Sequence, residues 1–247
     1  MTDQVKRRLY VQRDPAALAG RVAEWMIAIL KDCEHSRVSL SGGSTPRALY
    51  ELLSAEPFTA QIPWQRVSLF WGDERFVGHD HPESNYRMVR IAMLNKVPIP
   101  TESVYPIPVT GSPEGAALQY ERTLKKAYGA ETLVPGRPLF DIMLLGLGAD
   151  GHTASLLPGQ PILAERDRWV CAVTRGRPET RISLTYPAIN SSRHVAFLVT
   201  GHDKSDILRR ILAGDSDLPA ARVKSEGELV WFADEAAAGD LPNQPIG

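Results

Sequence analysis

Short, nearly continuous apolar runs recur along this chain, each separated from the next by a helical stretch or a turn-rich segment. Val67-Ser68-Leu69-Phe70-Trp71 and Phe140-Asp141-Ile142-Met143-Leu144-Leu145 are the clearest of them. A strand with one wet face alternates apolar and polar residues, whereas a run apolar on both faces must be covered on both sides. That pattern belongs to parallel sheets sandwiched by helices. Arg37–Leu40, Trp169–Thr174, Arg181–Leu184, Val195–Thr200 and Leu229–Phe232 extend the series. Between them, Asp14 opens a helix as an acceptor N-cap with Pro15 at the first helical position. Leu18, Val22, Trp25, Met26 and Ile29 then lay one apolar face along it. Pro46 behind Ser44-Thr45 reads as a second capped start, and Leu49, Leu52 and Leu53 give that helix its apolar side. Asn85–Leu94, a stretch near Pro113–Tyr128 and Asp203–Leu212 are the remaining expected helices. No composition break, low-complexity tract or internal repeat marks a linker, so a single α/β domain over residues 1–247 is expected.

Charge narrows the partners. Lys plus Arg number 28 against 29 Asp plus Glu, a net charge of -1, which leaves no electrostatic footprint for nucleic acid or an anionic membrane. A basic residue that binds an anion must therefore do so locally, inside a pocket. Cys33 falls at a helix end and Cys171 within an apolar strand, where a buried free thiol is expected; neither sits in a CxxC pair, so no zinc or redox motif is expected. The opening Met1–Arg8 is polar with no apolar segment behind it, and no run approaches the roughly 20 apolar residues needed to span a bilayer. A cytoplasmic, reducing setting is the expectation.

In parallel α/β folds ligands bind at the carboxyl ends of the strands, and the chemically interesting segments fall there. Ser41-Gly42-Gly43-Ser44-Thr45-Pro46 joins a strand to a helix. Its glycines allow close backbone approach, and the new helix offers free N–H groups and a positive dipole end, a sound cradle for phosphate. The same residues would also serve as a plain tight turn and cap. Arg181 and Lys204 read either as completions of that anion site or as solvated surface cations.

Gly146-Leu147-Gly148-Ala149-Asp150-Gly151-His152-Thr153-Ala154-Ser155 puts an acid and a histidine two residues apart at the end of an apolar strand. Asp150 can take an imidazole hydrogen bond or a substrate hydroxyl, and a neutral His152 can then accept a proton from water. The alternative is a loop shaped by glycine and capping the next helix. A dinucleotide fingerprint is excluded by the missing helix-opening glycine and by the imidazole in its place. Gly72-Asp73-Glu74-Arg75 is a second charged cluster, readable as a surface turn. His79-Asp80-His81 has metal-ligand spacing but no third ligand nearby, and a solvated loop is the preferred reading.

Taken in order, Ser41–Pro46, Trp71–Val77, Ser84-Asn85-Tyr86, Gly146–Gly159, Arg181–Thr185 and the Gly201/Lys204 pair resemble the 6-phosphogluconolactonases, a family related to the glucosamine-6-phosphate isomerases/deaminases. The resemblance spans about Ser39 to Phe232. It implies a Rossmann-like three-layer fold, a mainly parallel central sheet with helices on both faces. It also implies that Ser41, Gly42, Gly43, Ser44 and Thr45 bind a substrate phosphate with help from Arg181 and Lys204, and that His152 is the general base. Asp150 then orients the imidazole or a substrate hydroxyl, Arg75 stabilises an oxyanion, and Asp73 and Asn85 organise the pocket. The deaminases carry Asp-Glu-Tyr where this chain has Asp73-Glu74-Arg75, and Asn-Glu-Pro after Gly-His-x-Ala-Phe where it has Ser155-Leu156-Leu157-Pro158. The glutamate missing here belongs to ring opening and proton transfer, so the resemblance points to hydrolysis of 6-phospho-D-glucono-1,5-lactone in the oxidative pentose phosphate pathway. An amino-sugar-phosphate isomerase/deaminase and a non-catalytic sugar-phosphate sensor are the alternatives. No cofactor, metal, nucleic acid or membrane is expected.

Overall fold

The computed structural model describes residues 6–241 and 245–246. The stretch from Met1 to Val5, part of the opening segment read above, lies outside them. In chain order the elements are β1 (Lys6–Gln12), α1 (Pro15–Asp32), β2 (Ser36–Leu40), α2 (Ser44–Leu53), β3 (Val67–Trp71), β4 (Asp73–Arg75) and α3 (Asn85–Val89). Then come β5 (Val104–Tyr105), α4 (Pro113–Tyr128), β6 (Phe140–Gly146), β7 (Val170–Val173), β8 (Arg181–Leu184) and α5 (Tyr186–Asn190). The last are β9 (Ser192–Val199), α6 (Ser205–Leu212), β10 (Glu228–Asp234), α7 (Glu235–Ala238) and β11 (Pro245–Ile246).

An eight-stranded sheet runs in the order β11-β1-β10-β9-β6-β2-β3-β5, and every neighbouring pair is parallel except β1 with β11. All five residues of β3 are buried, as are Ile142 to Leu145 of β6 and Val195 to Val199 of β9, so both faces of the sheet are covered as the sequence requires. Asp14 caps α1, accepting from the Ala17 N–H at 2.7 Å. Among the described residues no helix is long and apolar enough to cross a membrane.

Several expectations need correction. β7 and β8 do not extend the parallel sheet; with β4 they form a separate antiparallel sheet in the order β4-β8-β7. The reason is connection length. Residues 174–180 form a short turn, and a parallel return needs a crossover of roughly a dozen residues or more. β1 was not anticipated, because a strand near the sheet margin keeps a polar pattern around Leu9 and Val11. Asn85–Leu94 divides into α3 and one π turn at Arg90–Leu94, and Asp203–Leu212 starts with a 3-10 turn at His202–Lys204 before α6. The second helix begins at Ser44 with Gly43 as N-cap, so Pro46 stands at its third position and no side chain caps the end. Cys171 is half-buried rather than fully buried, and burial still pushes its thiol up to about 11.

Two tyrosines hold the strand ends that carry the site. The Tyr50 hydroxyl donates to the Ser41 carbonyl and accepts from the Ser41 N–H, both at 2.9 Å. Tyr120 does the same for Trp71, at 3.0 Å and 2.8 Å. Both side chains are fully buried, and burial pushes both phenols upward. Removing the Tyr50 hydroxyl leaves the N–H and C=O of Ser41 unpaired at the carboxyl end of β2. Tyr50→Phe is expected to cost about 1–3 kcal/mol of stability, read as a lower urea midpoint at unchanged slope.

Candidate active site

The carboxyl ends of β2, β3, β6 and β9 meet the small antiparallel sheet around one cavity of about 390 Å3. Ser41, Gly42, Gly43, Ser44, Thr45, Asp73, Arg75, Asn85, His152, Arg181 and Lys204, widely separated in sequence, all line it. Asp150 does not; it stands behind His152.

One wall suits an anion. Gly43 holds φ at +108°, a conformation that favours glycine, and leaves the α2 N-terminus without a side-chain cap. Gly42 is needed for a different reason: a Cβ there would lie 2.0 Å from Asn85 Oδ1, so the Asn85 amide packs directly on this backbone. The Thr45 and Thr200 hydroxyls are 2.6 Å apart, tying α2 to the end of β9. Lys204 Nζ lies 2.8 Å from Asp203 Oδ2, which fixes the ammonium beside the cavity.

Arg75 and Arg181 are register partners across β4 and β8. Each keeps a buried Nε with no partner among the described residues. Burial draws Arg181 below the ordinary arginine value, and the nearby Arg75 and Arg177 charges act in the same direction while Asp73 opposes them. Two guanidinium groups paired across strands, one of them desolvated, are costly unless an anion meets them. Arg181 is thus a half-buried residue of the cavity lining.

Asp73 is buried and held by Ser155, whose hydroxyl donates to Oδ2 at 2.6 Å, and by the Asn85 amide at 3.3 Å. Glu74, read only as part of a surface turn, is also buried. It accepts from the Arg75, Asn85 and Tyr86 N–H groups and the Ser84 hydroxyl at 2.7–3.0 Å, holding the start of α3 against β4. Burial pushes its carboxyl upward against those four donors.

His152 belongs to another part of the lining, with Asp150 behind it. After β6 the chain turns through Gly148 and Gly151, with Gly151 at φ +80°. His152 Nδ1 lies 2.5 Å from Asp150 Oδ1, and the His152 N–H points to the same oxygen at 3.2 Å. With Asp150 ionised, the hydrogen of this contact belongs to Nδ1, and in the neutral imidazole that tautomer leaves Nε2 its lone pair. Burial acts to raise the Asp150 pKa, but hydrogen bonds and charge from His152, with Arg177, outweigh it and hold it at about 2. The helix-capping alternative is gone, because turns rather than a helix follow His152 up to the 3-10 segment at Pro161.

Gly148 has no alternative residue here: a Cβ on it would stand 2.0 Å from His152 Nδ1. Gly148→Ala is expected to displace the ring and lower turnover by about 10²-fold, with the melting temperature nearly unchanged; steady-state kinetics beside a thermal melt check both.

The His79-Asp80-His81 loop is occupied otherwise. His79 meets the Ile107 carbonyl at 3.0 Å, Asp80 pairs with Arg90 at 2.6 Å, and His81 accepts from the Glu83 N–H at 3.2 Å.

Residues 13–231 match the family described as glucosamine-6-phosphate isomerases/6-phosphogluconolactonase. The chain belongs to this family. The matched span contains every residue of the cavity wall. Among family members, a 6-phosphogluconolactonase of Synechocystis sp. is 37% identical over 243 residues, covering 96% of each chain. One of Nostoc sp. is 37% identical over 96% of this chain and 99% of its own. The solved 6-phosphogluconolactonase from Trypanosoma cruzi superposes with a TM-score of 0.83 at 31% identity, covering 98% of each chain. Arg177, Thr200, Ser155 and Asp203 are the residues at or beside this family site that the sequence reading missed. Arg177 sits in a turn with no motif of its own, Thr200 and Ser155 are small polar residues whose partners Thr45 and Asp73 lie far away in sequence, and Asp203 looks like a surface acid although it pairs with its neighbour Lys204.

Proposed function

We propose that the chain is one catalytic unit that hydrolyses 6-phospho-D-glucono-1,5-lactone to 6-phospho-D-gluconate, a step of the oxidative pentose phosphate pathway. The observation that carries this reading is that His152, backed by Asp150, lines the same cavity as an uncapped helix N-terminus, Arg181 and Lys204. The names and coverage of the relatives support the same substrate.

The substrate phosphate docks on the Gly43–Thr45 end of α2 with Arg181 and Lys204. Binding energy from this remote group is spent on placing the lactone carbonyl beside His152. His152 Nε2 takes a proton from water as the water oxygen bonds to the carbonyl carbon, and the carbonyl electrons move onto oxygen. Arg75 stabilises that oxyanion, and Asp150 stabilises the imidazolium on the Nδ1 side. When the oxyanion collapses, the bond from the acyl carbon to the ring oxygen breaks. The ring oxygen leaves with the proton returned by His152 and becomes the free hydroxyl of the open-chain acid. Asp73, fixed by Ser155 and Asn85, orients sugar hydroxyls.

Offering the protein both fresh phospholactone and glucosamine 6-phosphate tests this reading against its relatives' chemistry. Accelerated acid release from the first and no ammonia from the second are expected. Ammonia release with the lactone decaying at its spontaneous rate would overturn it.

A further inference from the structure

We propose that Arg177 is a positioning residue for the Asp150–His152 pair, so that the proton-transfer unit is an Arg–Asp–His triad; this rests on the lactonase reading above. Arg177 lies in the turn between β7 and β8, 25 residues from His152. Its Nη2 donates to Asp150 Oδ2 at 2.7 Å, while Oδ1 of the same carboxylate accepts from His152. The carboxylate is thus gripped at both oxygens from two separate segments. Nη2 also stands 3.2 Å from His152 Nδ1. With the proton on Nδ1 that approach is donor against donor, tolerated because both groups share the Asp150 carboxylate.

Arg177 does not line the cavity, which separates it from Arg75 and Arg181. It acts through Asp150. An acid–histidine pair left partly open to water is a weak constraint on its own. A carboxylate held at one oxygen can turn about its Cβ–Cγ bond and let the imidazole exchange its Nδ1–H tautomer for the Nε2–H form, which has no lone pair on Nε2 to take the proton from water. A charged donor on the second oxygen removes that freedom.

The turn carrying Arg177 is itself seated. Gly176 holds φ at +88°, and a Cβ there would come 3.1 Å from Leu157 Cδ1 and 3.2 Å from Gln160 Nε2. Leu157 is buried and lies in the segment that follows His152. The Arg177 turn and the His152 loop therefore rest on one another, and the guanidinium reaches Asp150 from a fixed base.

The test compares the wild-type chain with Arg177→Ala and Arg177→Lys, with a thermal melt on each. Arg177→Ala is expected to lower kcat by about tenfold to a hundredfold while KM stays within about twofold. Arg177→Lys should recover part of the loss, and added guanidinium should raise kcat of Arg177→Ala but not of His152→Ala. Independently of activity, 15N NMR of the His152 ring should report the Nδ1–H tautomer in the wild type and a mixture in Arg177→Ala. Wild-type kcat in Arg177→Ala overturns the proposal, as does a raised KM with unchanged kcat or an unaltered tautomer. A wild-type chain inert toward the lactone would overturn the lactonase reading instead, and the tautomer measurement would still decide the role of Arg177.

Discussion

His152→Ala is expected to lower kcat for phospholactone hydrolysis by roughly 10²–10⁴-fold, the usual range for a lost general base, with KM little changed. The structure gives two reasons to expect a clean loss. The loop keeps its backbone pairing after truncation, since the Gly148 N–H bonds to the His152 carbonyl at 2.9 Å and the Gly151 N–H to the Gly148 carbonyl at 2.9 Å. The side chain, in turn, makes no hydrogen bond that a neighbouring element depends on; its partners Asp150 and Arg177 hold each other at 2.7 Å without it. The residual rate should reflect the anion wall and Arg75 acting on water alone. Turnover near the wild-type value in steady-state assays would remove His152 from the chemistry.

The second large effect is expected at the two cations of the cavity lining. Charge-assisted hydrogen bonds are worth about 1.5–3 kcal/mol each, so Arg181→Ala and Lys204→Ala should each reduce kcat/KM for the phosphorylated lactone by roughly tenfold to a hundredfold, and the double variant by close to the product. On the proposed reading phosphate binding positions a distant carbonyl, so part of the loss should appear in kcat. Unphosphorylated glucono-1,5-lactone has no group for these cations and should be hydrolysed almost equally by wild type and variants. An equal loss on both lactones would mean that Arg181 and Lys204 serve the architecture and not the phosphate. Arg181 is the more informative of the two, because its guanidinium is desolvated beside Arg75. Lys204 keeps Asp203 as a partner at 2.8 Å.

Much of this arrangement is legible in the sequence, for physical reasons that differ from residue to residue. Val67–Trp71, Arg181–Leu184 and Pro113–Tyr128 were read with the boundaries they have. In the first, only Ser68 interrupts the apolar run, and in the last, Pro113 and Gly129 mark both ends with the usual helix-start and helix-stop chemistry. The grouping of strands into sheets was not legible, because apolar runs such as Val170–Val173 look alike in a parallel and an antiparallel sheet; only the short 174–180 turn distinguishes them. At the site, glycines betrayed the two loops, since Gly42, Gly43 and Gly148 each permit an approach that a Cβ would block or a φ that other residues avoid. The supporting residues stayed hidden. Glu74 looked like one of three surface charges, yet it is buried under four donors supplied mainly by backbone N–H groups, which leave no signature in a sequence. Arg177 was hidden for the same reason, as its partner Asp150 is joined to it only by the fold.

The measurement that bears most directly on the account is the decay of freshly generated 6-phospho-D-glucono-1,5-lactone, followed by NMR at mildly acidic pH, where spontaneous hydrolysis is slow, with and without the wild-type protein. The account predicts decay far faster than the spontaneous rate, with the open-chain 6-phosphogluconate as the product. Decay indistinguishable from the protein-free control would contradict it.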